Sequence, residues 1–358
     1  MAKLIAAANL RYCILCDRYR DPLSVIEKSF QPFVSIDRFG FLNHYSPFDF
    51  AEKQDELPSY SDRKFSDIID EVATEIVATG KPAYIPFSSG VDSTTILVAL
   101  LRNGLPKDKL TAIYFPQEHV AYPFAFEWLR KEGIKVVKTQ NVFAYTDKVR
   151  DSLVIPGWCA DILFGSTWHQ VKPSLYNEPW IEALDTAMRL RGVSVSQRSL
   201  GILKDVYDDY ASKFGLKLEK FCEFAWLQAF GLRWNYWENA QKLRCTSQEA
   251  RDCVFTFFAD RRFQDWSFSN FGNLSKEDVF SNNAKYKLLL KQYIYEYWKD
   301  EGIFTVGKSH GRLTNEDLSK SITVLDTDGY HKFSIPNGNV ARLNELVAQN
   351  YLKEEFRE

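Results

Sequence analysis

The residues best suited to chemistry form the stretch 88–93, with the sequence SSGVDS. An apolar run predicts a buried strand over 83–87 before it, and a helix is predicted over 93–102 after it. Small side chains keep the turn open, so backbone N–H groups and hydroxyls can surround an anion at the positive end of that helix. The stretch therefore predicts a phosphate-binding turn.

Asp92 places a carboxylate in the same turn. A carboxylate repels phosphate unless a divalent cation lies between them, so Asp92 points to Mg²⁺. An ordinary strand-to-helix turn is the equally weighted alternative, because Ser and Asp are common helix caps. The Gly-Lys-Ser/Thr sequence of the Walker loop does not follow.

The segment SSGVDST resembles the SGGxDS pyrophosphate loop of the N-type ATP pyrophosphatases. These enzymes include asparagine, GMP and NAD synthetases and several tRNA-modifying enzymes. The resemblance implies that the turn binds the pyrophosphate part of ATP through Ser88, Ser89, Gly90, Val91, Asp92 and Ser93. Ser89 is the one departure, because the family has Gly at that position.

A second segment, PGWCADILFGS at 156–166, resembles GxGxDExFGG of asparagine synthetases and GYGxDIPLGG of β-lactam synthetases. By this resemblance Asp161 and Asp92 hold one Mg²⁺ against the ATP phosphates. Two carboxylates with phosphate oxygens form the partly hydrated site that Mg²⁺ prefers. The alternative is that Asp161 caps a helix starting at Ile162; the two motifs together favour the metal.

Three further segments resemble asparagine synthetases: ARDCVFTFFADRRFQDWSF, KYKLLLKQYIYEYW and GIFTVGKSHG. Lys308 in the last would stabilise negative charge on the leaving pyrophosphate; a solvated loop lysine is the equally weighted alternative. By resemblance, backbone groups near Tyr114 and Phe115 would meet the adenine. The resemblance covers about residues 65–315.

The departures from these families concern the nitrogen source and the acid. Asparagine synthetases begin with a glutaminase domain whose nucleophile is a Cys after Met, whereas position 2 here is Ala, and the first 60 or so residues are too few for that domain. Glutamine hydrolysis by this chain is therefore not expected. Trp158 and Cys159 differ from both families at positions that face the acyl substrate, so asparagine is not the expected product.

Composition narrows the class of protein. The 358 residues are 45% hydrophobic and 26% charged, with a net charge of −2, which gives no general electrostatic reason to bind nucleic acid or an anionic membrane. Six cysteines are too few for a disulfide scaffold in a chain this long. Cys13 and Cys16 form one CxxC, interpreted as buried thiols in preference to a redox or metal pair. With no apolar run of about 20 residues and no signal peptide, a cytoplasmic protein without a membrane span is expected.

The expected fold class is α/β, a doubly wound parallel sheet like that of the adenine nucleotide alpha hydrolases. Its strands are predicted at 83–87, 110–115 and 134–141, with helices at 62–80, 93–102 and 122–132. A mainly helical elaboration follows, with helices predicted at 146–153, 178–191, 197–214, 216–233 and 285–299. The predicted domains are a β-rich segment at 1–60, with Gly40 in a hairpin, and a synthetase-like domain at 61–358. The latter comprises a nucleotide-binding core at 61–170, the helical elaboration at 171–320, and a hairpin and terminal helix at 321–358.

The expected function is an ATP- and Mg²⁺-dependent ligase that adenylylates a carboxylate, releases pyrophosphate, and forms an amide when an amine or ammonia displaces AMP. A separate protein supplying ammonia is compatible with this. One alternative is activation of a nucleobase carbonyl in tRNA or DNA, which the net charge and the asparagine synthetase-like segments do not favour. The other is a nucleotide-binding protein that has lost catalysis.

Overall fold

The computed structural model describes residues 4–8, 37–41, 55–114, 122–139, 145–146, 148–165, 173–190, 195–271, 287–307, 321–326, 329–334, 349 and 354. The chain divides into two compact units, each built from separated stretches of sequence. Unit 1 comprises 1–57, 167–243 and 314–358, and unit 2 comprises 58–166 and 244–313. The domain boundaries predicted from the sequence stay a prediction.

Unit 2 contains a four-stranded parallel sheet. Its strands are β2 (Ala83–Pro86), β3 (Leu110–Tyr114), β4 (Lys135–Lys138) and β5 (Leu153–Val154). Their order across the sheet is β4-β3-β2-β5, and every neighbouring pair is parallel. The α/β class with a parallel sheet and a helical C-terminal part is thus confirmed.

The helices of unit 2 follow or precede these strands. They are α1 (Phe65–Ala78), α2 (Val91–Arg102), α3 (Pro123–Lys131), α4 (Ala160–Leu163), α9 (Gln248–Asp252), α10 (Arg261–Ser269) and α11 (Leu288–Trp298). Helix α2 is the central one, since it packs against both α1 and α11. From Val91 to Leu100 all of its side chains are buried except that of Asp92. Burial on all sides over these turns fixes the position of the helix and of the turn in front of it.

Unit 1 contains a three-stranded antiparallel sheet and the helices of the first part of the helical elaboration, up to residue 243. Strand β1 (Leu4–Ala8) pairs with β6 (Ser321–Asp326), which pairs with β7 (Gly329–Ser334). The predicted hairpin near 326–329 is therefore confirmed. The helices are α5 (Trp180–Arg189), α6 (Gln197–Lys213), α7 (Phe221–Gln228) and α8 (Trp234–Asn239), with a π-helical turn at Ala229–Arg233 between α7 and α8.

One helix prediction was wrong, and another helix starts later than predicted. In the predicted helix 146–153, residues 148–152 are not helical and Leu153 begins the short strand β5, because Asp151 has a left-handed φ of 53° and Val149 and Val154 pack in an apolar cluster with Val254. The predicted helix 216–233 starts later, at Phe221, since Lys220 pairs with Pro179 in extended conformation. Gly40 lies in a turn at 37–41 with φ 75°, and the residues that would form its hairpin lie outside the described ones, as does most of the predicted terminal helix.

No helix among the described residues is long and apolar enough to cross a membrane. Within the same residues, Cys159, Cys222, Cys245 and Cys253 form no disulfide bond. Cys13 and Cys16 lie outside the described part of the chain, so their interpretation as buried thiols stays a prediction.

Candidate active site at the ends of two parallel strands

The order of the parallel strands determines where a ligand site can form. From β2 the chain continues to β3 and then β4 on one side, whereas β5 lies on the other side of β2. The loops after β2 and β5 therefore leave the sheet side by side at the point where the strand order reverses. In open parallel sheets, ligands bind at this point, beyond the carboxyl ends of the strands.

The loop after β2 is the SSGVDS turn, and hydrogen bonds hold it in place. The Phe87 N–H donates to the Ile113 carbonyl oxygen of β3 at 2.7 Å. Ser89 is fully buried and has a left-handed φ of 55°, and its hydroxyl accepts a hydrogen bond from the Tyr122 N–H at 3.1 Å. Gly90 is the N-cap of α2, so the turn delivers the chain directly to the helix N-terminus.

The loop after β5 carries the second predicted aspartate. Hydrogen bonds from the N–H groups of Leu153 and Ile155 to carbonyl oxygens of Pro82 and Tyr84 attach this segment to β2. Cys159 then takes a left-handed φ of 74° and caps the short helix α4, which contains Asp161. The buried Ser267 hydroxyl of α10 donates to the Leu163 carbonyl oxygen at 2.7 Å and so fixes the end of α4.

Gly157 lies where the loop after β5 touches the start of α2. A Cβ atom at this position would lie 3.0 Å from Asp92 Cβ and 3.3 Å from the Asp92 carbonyl carbon and the Ser93 nitrogen. Its φ is not in the left-handed region, so lack of space and not backbone conformation requires glycine. The absence of a side chain thus lets the loop after β5 touch the first turn of α2.

Asp92 and Asp161 meet at one atom, the ammonium nitrogen of Lys287. Lys287 Nζ lies 2.6 Å from both carboxylate oxygens of Asp92 and 2.7 Å from Asp161 Oδ1. The Lys287 side chain is 2% exposed, whereas those of Asp92 and Asp161 are 27% and 37% exposed. The two predicted metal ligands are therefore brought together, with a positive charge between them.

Lys287 reaches this position because it directly precedes α11, which packs against α2. The residue has a left-handed φ of 50°, and its carbonyl oxygen accepts hydrogen bonds from Leu290 and Lys291. Lys291, one turn further on, is fully buried and donates to the Val306 carbonyl oxygen at 2.6 Å. Burial, and secondarily the charge of Lys287, lowers the pKa of Lys291 to about 8.

Lys287 was not among the residues selected from the sequence. A signal is present, since residues 285–298 resemble a segment of asparagine synthetases, but nothing local connects position 287 with position 92. The aspartate and arginines of the ADRR segment have a structural role instead. Asp260 caps α10, and Arg262 bonds both Asp260 and Glu75 of α1.

The other predicted site residues lie in the turn after β2, at the end of β3 and on the loop after β5, or outside the described residues. Ser88, Val91 and Ser93 lie in the turn or the first turn of α2, where Ser88 Oγ accepts from the Gly90 N–H and Ser93 Oγ donates to the Gly90 carbonyl oxygen. Tyr114 ends β3, and its carbonyl oxygen accepts from the Thr139 N–H. Trp158 is half-buried and Cys159 is buried on the loop after β5. Phe115 and Lys308 lie outside the described residues.

The donor set fits a magnesium ion in one respect. Asp92 and Asp161 supply hard oxygen ligands directed at a common point, as Mg²⁺ requires. The part of the chain that the structure describes holds no group of three or more His, Cys, Asp or Glu side chains suited to a metal. The remaining ligands would therefore be phosphate oxygens and water, the arrangement usual for Mg²⁺ bound with a nucleotide.

A comparison of the chain with models of known protein families gave no match, and neither did a comparison with curated proteins.

Proposed function

We propose that this protein is a Mg²⁺-dependent enzyme that uses ATP to adenylylate a carboxylate, releasing pyrophosphate. An amine or ammonia then displaces AMP and forms an amide. One observation carries the proposal: two carboxylates, from the loops after two adjacent parallel strands, converge beside the N-terminus of a buried helix. That is where a parallel sheet binds a nucleotide.

The turn supports the nucleotide-binding part of the proposal. The first N–H groups of a helix have no partner within the helix, and α2 presents them at the end of a turn of small residues. Together with the helix dipole, these groups attract a phosphate chain. Ser88, Ser89, Gly90, Val91 and Ser93 are the residues we assign to pyrophosphate, and backbone groups near Tyr114 and Phe115 to the adenine.

The carboxylates and lysines support the catalytic part. Asp92 and Asp161 would hold Mg²⁺, which when bound would offset negative charge on the departing pyrophosphate. Lys287 brings a buried ammonium group to the same place, and Lys308 is the second cation we assign, by resemblance. The rate would then come from positioning and charge stabilisation, without a covalent enzyme intermediate.

The resemblance to asparagine and β-lactam synthetases supports the finer assignment. We propose that unit 2 is a doubly wound pyrophosphatase-loop core of their kind. Trp158 and Cys159, on the loop after β5, would face the acid, so the acid would differ from that of either family. Ser89 and Cys159 are the two departures that stand where the families have glycine, and both occupy left-handed backbone positions, where glycine is the favoured residue.

The test is pyrophosphate release from ATP with Mg²⁺ across a panel of carboxylic acids and amines. We expect release that depends on one acid, and its loss in both Asp92→Asn and Asp161→Asn. Asp108→Asn is the matched control, because Asp108 is an exposed aspartate in the 3-10 turn before β3, at the opposite end of the strand from the β2 and β5 loops. No release with any acid, although ATP binds, would contradict the ligase and favour a nucleotide-binding protein without catalysis.

A further inference from the structure

Lys287 occupies the place where the proposed metal ion would lie. Its ammonium nitrogen lies at the point where Asp92 and Asp161 converge, 2.6 Å and 2.7 Å from their oxygens. A divalent cation held by the same two carboxylates would occupy the same region. An ammonium group and a metal ion cannot both lie between these oxygens, because they repel each other and compete for the same lone pairs.

We propose that Lys287 excludes free divalent cations from the nucleotide-free protein and so makes metal entry depend on the nucleotide. In the free protein the ammonium group takes the place of the metal and keeps the two carboxylates together. ATP brings phosphate oxygens that give the ammonium group new partners, and Mg²⁺ then enters with the nucleotide. This inference rests on the proposed function, since it assigns an order of binding to that site.

The burial of Lys287 gives this exchange its physical basis. The side chain is 2% exposed, and a buried ammonium group is costly unless it is paired. Its backbone is also fixed, because its carbonyl oxygen accepts the first hydrogen bonds of α11. Lys287 therefore cannot give up Asp92 and Asp161 at low cost until another anion arrives. The phosphate chain of a nucleotide at the N-terminus of α2 is such an anion.

The charges nearby act in the same direction. Asp92, Asp161 and Lys287 together carry one net negative charge instead of two. Lys291, fully buried one helical turn away, adds a second cation on the same element. A hydrated divalent cation arriving alone would meet a site whose negative charge is largely compensated. One arriving with ATP brings its own anionic ligands.

The experiment measures Mn²⁺ binding, as a probe for Mg²⁺, by electron paramagnetic resonance. Each protein is titrated with Mn²⁺ alone and with Mn²⁺ plus α,β-methylene-ATP, which cannot release pyrophosphate. The variant is Lys287→Met, which keeps most of the length of the side chain and removes its charge. Lys291→Met is the matched control, because it removes a buried positive charge from the same helix without removing the ammonium group between the carboxylates.

The wild-type protein is expected to bind Mn²⁺ with the analogue and far more weakly without it. Lys287→Met is expected to bind Mn²⁺ alone about 10–100-fold more tightly than the wild type does, the range typical for changes to groups around metal ligands. Mn²⁺ alone should also raise the melting temperature of Lys287→Met, because a ligand stabilises the folded state that it binds. The charge-conserving Lys287→Arg should behave like the wild type. Lys291→Met should gain only a small part of the affinity gained by Lys287→Met, because the Lys291 ammonium group donates to the Val306 carbonyl oxygen and does not lie between the carboxylates.

Two results would overturn the inference: Mn²⁺ binding to the wild type that is as tight without the analogue as with it, although calorimetry shows that the analogue binds, or no gain in Mn²⁺ affinity in Lys287→Met. The first needs the wild type alone, so it decides the matter even if Lys287→Met does not fold. Failure of the nucleotide-binding part of the proposed function gives a different result. Calorimetry would then show no binding of the analogue to the wild type, whereas the titrations with Mn²⁺ alone would still show whether Lys287 excludes the metal.

Discussion

Gly157→Ala adds a single methyl group at the contact between the two loops of the candidate site. The new Cβ would lie 3.0 Å from Asp92 Cβ and 3.3 Å from two backbone atoms at the start of α2. Ordinary contacts of this kind are 3.4–4 Å. The two loops must therefore separate by a few tenths of an ångström, and α2 is buried along nearly its whole length and cannot shift freely.

The cost follows from this geometry. Inserting a methyl group into a well-packed interior costs about 1–3 kcal/mol of unfolding free energy. The separation also moves Asp92 relative to Asp161, and misplacement of reacting groups by about 1 Å can lower a rate roughly 100-fold. For the smaller shift here, we expect pyrophosphate release to fall about tenfold. We expect urea unfolding, followed by tryptophan fluorescence, to show the loss of stability.

Gly201→Ala is the contrasting variant. Gly201 is exposed in the middle of α6, and nothing lies within 4 Å of the position of its Cβ. The same chemical change should stabilise unit 1 by about 0.5–1 kcal/mol, because alanine restricts the unfolded chain and favours a helix. If Gly157→Ala keeps the unfolding free energy and the activity of the wild type, the two loops do not make the close contact at Gly157.

Three other substitutions test separate features by the same unfolding measurement. Ser89→Ala should lower the unfolding free energy by about 1–3 kcal/mol, since it leaves the buried Tyr122 N–H without its acceptor. Ser89→Gly should lower it by about 1 kcal/mol less, since glycine suits the left-handed φ. Equal losses for the two variants would contradict a contribution from the backbone conformation. Burial lowers the pKa of Lys291 from 10.5 to about 8, so between pH 8 and pH 10.5 the unfolded chain binds more protons than the folded protein. The unfolding free energy of the wild type should therefore rise with pH in this range relative to that of Lys291→Met. A difference between the two proteins that does not change with pH would show that Lys291 is not desolvated. Gly231→Ala would place a Cβ against the ring and hydroxyl of Tyr210, with Cε1 at 2.7 Å, and should destabilise unit 1 by about 3 kcal/mol; a loss below that of Gly157→Ala would contradict this contact.

The sequence predicted the parallel sheet well where strands are long and apolar. The predicted strand 83–87 and helix 93–102 correspond to Ala83–Pro86 and Val91–Arg102. Strand β5 was missed because it has only two residues, too few for alternation to show, and its position depends on pairing with β2. That missing strand is the one that makes the loops of Asp92 and Asp161 neighbours.

The site was predicted in part for a similar reason. Asp92 and Asp161 lie in motifs that can be recognised locally, and the structure brings them together. Lys287 becomes part of the site only through the packing of α11 on α2, which no local pattern reports. The pairing of β1 with β6 was likewise beyond sequence reasoning, since a strand of five small and apolar residues matches many partners.

The pairing of β1 with β6 also determines when the protein can complete its fold during synthesis. Leu4 pairs with Asp326, so synthesis must proceed from β1 to residue 326 before this pairing can form. At about 5–20 residues per second, β1 waits on the order of tens of seconds with an unpaired edge, which is prone to pair with other chains. A chaperone that covers β1 on the nascent chain, or a lower growth temperature, which weakens association with other chains, should therefore raise the yield of folded protein. Truncation of the chain before β6 should lower that yield.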